Sequence, residues 1–187
     1  PSTIFPEHPY GAPISGNLTS VGGLSRDDLA AHYQRFYNPQ NTVLAIAGNI
    51  TPEEAIAQAE KCLTAKHCGD PAPNIDSPTA SGGEGFIAKD IEQSHVCIGF
   101  PGVPLGSDDY YAATIIANAL GGGASSRLFQ EVREKRGLAY SAYCYLEAYT
   151  QAGFIMAYAA TTPKNGAELI KIMAEQFAIL ADKGLTA

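Results

Sequence analysis

The run Gly121–Tyr140, GGGASSRLFQEVREKRGLAY, constrains the fold of this chain more than any other segment. Three consecutive glycines break any helix that reaches them. Ser125 or Ser126 then stands where an N-cap is wanted, ahead of Leu128, Phe129 and Val132 on one face of a short helix. Gly137 supplies the stop, and the residues after it open a strand. The chain must therefore pass from helix to helix to strand within this one segment.

The flanks extend that pattern. Asp108-Asp109 open a helix in which Ala112, Ile115, Ile116 and Ala119 fall at i, i+3, i+4 and i+7, so these are expected to face the core. Leu138–Ala148 and Gly153–Thr161 read as two long strands joined by a hairpin turn at Thr150–Gly153. A last helix, about Asn165–Lys183, places Leu169, Ile172, Met173, Phe177 and Leu180 on one side and ends at Gly184. Upstream, Gly85–Ile91 and Ser94–Phe100 read as two further strands joined through Glu92-Gln93.

The first part of the chain is organised differently. Residues 1–22 are rich in Pro and Gly and read as an extended arm. Ser25 and Asp28 form a capping box for a helix to about Tyr37, ended by Asn38-Pro39. Thr42–Ala47 is a short apolar run, expected as a buried strand, and Thr51, Pro52 and Glu54 open a second helix through about Leu63. Between the two parts, residues 69–85 are dominated by Pro, Gly, Ser and Asp and read as an exposed linker. The expected organisation is 1–68, a linker at 69–85, and 86–187. The expected fold class is α+β, with helices packed on one face of a mostly antiparallel sheet.

Twelve basic against nineteen acidic residues give a net charge of −7, which argues against a nucleic-acid backbone or an anionic membrane surface as partner. No apolar run approaches the roughly 20 residues that span a bilayer. The chain starts at Pro1-Ser2 without a Met, and is expected to be a piece of a longer polypeptide. The four cysteines, Cys62, Cys68, Cys97 and Cys144, form no C-x-x-C pair, so a reducing compartment, the cytoplasm, is the expected setting.

Candidate chemistry is sparse. The histidines His8, His32, His67 and His95 have no second ligand at helical spacing, and the cluster Cys62, His67, Cys68 lacks a fourth ligand, so no metal site is expected in this chain. No G-x-S-x-G occurs, and the triple glycine is not followed by Lys-Ser/Thr as a phosphate loop requires. Arg133 and Tyr140 remain, at the two ends of the turn around Gly137. A guanidinium and a phenol on one rim offer fixed donors to a peptide carbonyl or an oxyanion. Spacing alone leaves a second reading open: an arginine solvated beside Glu131 and Glu134, and a tyrosine that packs the strand.

Arg133-Glu-Lys-Arg-Gly-Leu-Ala-Tyr140, preceded by Ser126-Arg127-Leu128-Phe129, strongly resembles the second half of insulinase/pitrilysin-type zinc metallopeptidases, the inverzincins. His8-Pro9-Tyr10-Gly11, the stretch from Leu24-Ser25 to Phe36-Tyr37-Asn38-Pro39-Gln40-Asn41, and Ala47-Gly48-Asn49-Ile50 look like the end of a first module of that family. Asp90–Phe100 and the residues after it look like the start of a second, so the resemblance covers nearly the whole chain. It implies two halves closing like a clamshell on a peptide. One half binds zinc through H-x-x-E-H and a later Glu, and the other holds substrate through an Arg–Tyr pair, here Arg133 and Tyr140. No H-x-x-E-H occurs in these residues, so zinc and the zinc-binding half, or a partner subunit, are expected outside this chain. The resemblance equally admits a non-catalytic structural or partner subunit of the same family.

Overall fold

The computed structural model describes residues 1–63 and 69–185. Its contacts divide the chain into two compact units, Ile14–Ile75 and Pro1–Pro13 with Asp76–Ala187.

The larger unit is built on a three-stranded antiparallel sheet in the order β1-β3-β2, with β1 Ser94–Gly102, β2 Ala142–Ala148 and β3 Gly153–Thr161. Helices α4 (Tyr110–Gly121) and α5 (Gly166–Lys183) cover one face. The core between them contains Ala117, Leu120, Leu128, Val132, Cys144, Ala157, Ala159, Leu169, Ile172 and Met173. The α+β expectation, with helices on one face of an antiparallel sheet, holds. So does α5, which buries Leu169, Ile172, Met173 and Leu180 and is closed by Gly184. Segment 1–13 belongs to this unit: Ile4 and Phe5 pack with Phe154 on the opposite face of the sheet.

Helix α4 differs from its expected orientation. Ala113, Ala117, Leu120 and Gly121 are buried, whereas Ile115 and Ile116 are exposed. The reason is closeness of approach. A Cβ on Gly121 would lie 2.1 Å from the Cys144 amide nitrogen, so only the small-residue stripe of α4 fits against β2. Two expected strands are absent. Residues 85–91 and 42–47 form no ladder, and Phe86, Ile87, Val43 and Leu44 are largely exposed. A strand exists only through a neighbour's hydrogen bonds, and none of the described residues supplies one.

The smaller unit contains α1 (Leu18–Gly22), α2 (Arg26–Phe36) and α3 (Pro52–Cys62). The expected capping boxes close α2 through Ser25 and Asp28 and α3 through Thr51 and Glu54. The residues expected as a bare arm also contain α1, opened by an Asn17–Ser20 capping box.

The units are drawn differently from the composition segments. Asp70 bonds to Arg35, and its carbonyl accepts from Asn38 and Asn41 at 3.0 and 2.9 Å, which ties 69–75 to the smaller unit. The Asp76 carbonyl meets His8 Nε2 at 3.0 Å and Ser81 donates its amide to Ile4 at 2.9 Å, which ties 76–85 to the larger one. Among the described residues, no helix is long and apolar enough to cross a membrane.

Candidate functional site

After α4, residues 122–126 turn the chain, and a helical turn at Arg127 runs into a π-helical segment, Phe129–Glu134. No side-chain cap opens this segment, contrary to the expectation for Ser125 or Ser126. Ser126 Oγ is buried without a partner among the described residues. The Gln130 side-chain amide ties the segment to the preceding turn instead, donating to the Ala124 carbonyl at 2.7 Å. Single π-turns inside helices recur at functional positions because the extra residue re-aims a side chain. The segment ends at Gly137, whose φ of +60° is the left-handed conformation that glycine adopts without strain.

That reversal brings Arg133 and Tyr140 together. The Arg133 guanidinium carbon lies 4.4 Å from the Tyr140 ring centroid and 4.7 Å from that of Phe129, so it is held between two aromatic faces. Its Nη1 donates to the Tyr140 carbonyl at 3.3 Å, and its Nε lies 3.7 Å from Glu134. The two cations that follow it in the chain are engaged elsewhere. Lys135 and Arg136 both pair with Glu131, and their bonds, with Lys135 the larger contributor, hold the Glu131 carboxyl below its ordinary range. The Arg133 side chain is 35% exposed and Tyr140 is 77% exposed.

The pair lines a shallow cavity of about 270 Å³ with Gly121–Gly123, Phe129 and Tyr143. Chemically, a flat guanidinium fixed in plane and a neighbouring phenol can donate hydrogen bonds to one carbonyl or oxyanion. The sequence pattern places Phe129 on the core face of its helix and says nothing of a role in the site. Its position four residues before Arg133 puts the two on neighbouring turns, a spacing that core packing accounts for equally well. Tyr143 carries no signal in the sequence beyond that of a strand residue.

Among the described residues, no three His, Cys, Asp or Glu side chains converge so as to hold a metal ion. Cys62, at the end of α3, is an exposed free thiol, while His67 and Cys68 lie outside the described residues. The donor set among the described residues does not fit zinc.

Residues 23–187 match the family described as the peptidase M16 inactive domain. An uncharacterized zinc protease of Streptomyces coelicolor is 34% identical across 98% of this chain and 42% of the relative. The uncharacterized zinc protease YmxG of Bacillus subtilis is 32% identical across 97% of this chain and 44% of its own. In structure, the peptidase M16 inactive domain from Pseudomonas fluorescens superposes with a TM-score of 0.92 at 27% identity, over 99% of this chain and 45% of that one. A protease from Helicobacter pylori shares the fold with a TM-score of 0.87 at 19% identity, over 99% of this chain and 46% of that one. This chain thus spans less than half the length of these relatives. The resemblance carried by Ser126–Tyr140 is borne out across the sequence, and the chain belongs to the peptidase M16 inactive-domain family.

Proposed function

We propose that this chain is the substrate-holding, non-zinc-binding part of a zinc-dependent metalloendopeptidase, with Arg133 and Tyr140 as its substrate contacts. The observation that carries the reading is the guanidinium clamped between Phe129 and Tyr140 at the mouth of the glycine-lined cavity. A solvated surface arginine has no need of two rings to fix it. Held there, Arg133 presents its remaining N–H groups, and Tyr140 its O–H, to the main-chain carbonyl of a peptide near the scissile bond. Each donor gains strength as negative charge develops on that oxygen. Zinc, bound by the catalytic half outside this chain, would supply the activated water and the Lewis acid. Residues 1–68 and 86–187 would then end one module and begin the next. Free thiols at Cys62, Cys97 and Cys144 fit a reducing, cytoplasmic setting.

The test uses the complete polypeptide and two substitutions. Arg133→Ala and Tyr140→Phe are each expected to lower kcat/KM for a peptide by roughly ten- to a thousand-fold, the range for losing one preorganised donor. Tyr140→Phe retains the ring under Arg133, so its melting temperature should hardly change. Unchanged kcat/KM in both variants would remove the substrate-contact role and leave the chain as a structural or partner element of the family.

A further inference from the structure

The face of the sheet opposite the helices carries a continuous belt of aromatic rings, and it begins at the Arg133 cavity. Tyr143 lines that cavity beside Arg133 and Tyr140. Its ring stacks on Tyr158 with centroids 4.8 Å apart and lies 6.2 Å from Tyr145. Tyr145 is 6.4 Å from Phe154, which meets Phe5 at 6.3 Å and Tyr149 at 6.3 Å, and Tyr149 stacks on Tyr10 at 4.3 Å. The register explains the alignment: Tyr143 is opposite Tyr158 and Tyr145 opposite Met156, so the rows project on one side of the pleat.

The two halves of the belt are used differently. The far half is covered by this chain's own segment 1–13, which has no strand there and docks through side chains. Phe5 and Phe154 are each 2% exposed, and the Tyr10 hydroxyl is anchored on Gln151. The near half is bare: Tyr143 is 44% and Tyr145 39% exposed. Its rings are nevertheless held in place. The Tyr158 hydroxyl meets His95 Nδ1 at 2.7 Å, and that of Tyr145 contacts Met156 Sδ at 3.7 Å. Scattered surface tyrosines are ordinary, whereas a contiguous, pre-ordered patch beside a donor site marks a place for a ligand.

We propose that Tyr143, Tyr145 and Tyr158 form a side-chain subsite for an aromatic or large aliphatic residue of an extended peptide. This rests on the reading that Arg133 and Tyr140 hold that peptide's main chain. Segment 1–13 shows on the adjoining half what the surface accepts, an irregular stretch of chain seated through its apolar and aromatic side chains. The spacing also fits. Same-face side chains of an extended peptide recur every ~6.6 Å, against 6.2 Å between the Tyr143 and Tyr145 rings. Among the described residues β2 is an edge strand, so the peptide reaches these rings without displacing any of them.

Two readouts on the complete polypeptide separate this proposal from the one beneath it. In the first, a short peptide with one benzophenone side chain is photo-cross-linked and the attachment mapped by mass spectrometry, with no turnover required. Attachment at Tyr143, Tyr145 or Tyr158 is expected. Attachment confined elsewhere, for instance to the groove of Ile115, Ile116 and Leu185, overturns the subsite. In the second, two substrates differ only by Phe or Gly at one position. The Phe peptide should be favoured about ten- to a hundred-fold in kcat/KM, as one well-packed apolar side chain gives. That preference should fall below about threefold in Tyr143→Ala or Tyr145→Ala and survive in Tyr143→Phe. An intact preference in both alanine variants overturns the proposal, as does a belt that proves to be covered by a second copy, read as dimerisation lost in the same variants. If no peptide is turned over, the hydrolytic reading fails, and the cross-link alone decides the subsite. If Tyr143→Ala does not fold, Tyr145→Ala and the wild-type cross-link still decide it.

Discussion

Cys144 and Cys97 show how far a single residue can be read from its surroundings. Both lie in apolar strand sequence, where a free thiol behaves as a small hydrophobe. Cys144 faces the helices and is 5% exposed, whereas Cys97 projects from the open face of β1 and is exposed. The residues around each are similar, and only the pairing with β3, which is not written locally, decides the face. Burial pushes the Cys144 thiol up to about 11 from 9.0. The folded state therefore holds this proton more tightly than the unfolded chain does. The contribution is intact below pH 9.0, where both states are protonated, and falls as pH rises toward 11, because the unfolded chain ionises first. Removing the thiol should remove that slope. Urea unfolding of wild type and Cys144→Ala at pH 8 and pH 10.5 should show the wild type losing stability relative to the variant at the higher pH, by on the order of 1–2 kcal/mol. A stability difference independent of pH contradicts the assignment. Arg133 and Tyr140 are legible as a pair because their spacing resembles a family motif. Phe129 is not, because an aromatic residue beside Leu128 and Val132 satisfies a helix core pattern equally well.

At the scale of elements, capped helices and long strands are readable, and orientation is not. Ser25 with Asp28, Thr51 with Glu54, and Gly184 mark helix ends through short-range bonds, so local sequence suffices. In α4, hydrophobicity points to Ile115 and Ile116, but packing against β2 selects Ala113, Ala117 and Gly121. The larger side chains instead line a groove with Ala112, Leu180 and Leu185. The distinction predicts opposite sensitivities along one helix. Gly121→Ala forces a Cβ to within 2.1 Å of the Cys144 nitrogen and should cost about 3 kcal/mol or more, since backbone cannot yield as a side chain can. Ile115→Ser, at 57% exposure, should change stability by less than about 1 kcal/mol. Thermal melts of the two variants test this, and the reverse ranking would mean that α4 packs through its isoleucine face.

The whole molecule divides its burial unevenly between the two units, and its dynamics should reflect that division. In the larger unit, Ala157, Ala159, Leu169 and Met173 are fully enclosed between β3 and α5. In Ile14–Ile75, neither α2 nor α3 buries a residue, and Asn38 is the buried side chain among those described. Leu29, Tyr33 and Ile56 are all more than half exposed. The smaller unit is held instead by capping boxes and by the polar bonds of Asn38, Asn41 and Asp70. Isolated helices of 11 residues are marginal in water, because nucleation is costly and tertiary burial normally supplies the stability. This is also why the apolar run at 42–47 misleads: its composition fits a buried strand, but no described residue buries it. Amide hydrogen exchange on the 187-residue chain should therefore be graded. Amides of α2 and α3 are expected to exchange through local opening, with little protection, while those of β3 and α5 exchange only with unfolding of the larger unit. Lowering the pH should weaken α2 and α3 further. Bonds from Ser25 and Thr51 hold the Asp28 and Glu54 carboxyls below their ordinary values of 3.8 and 4.5, so that support is present above those values and is lost as pH falls through the depressed ones. Equal protection in α2 and β3 at neutral pH would show that the smaller unit has a source of stability other than its caps and polar bonds.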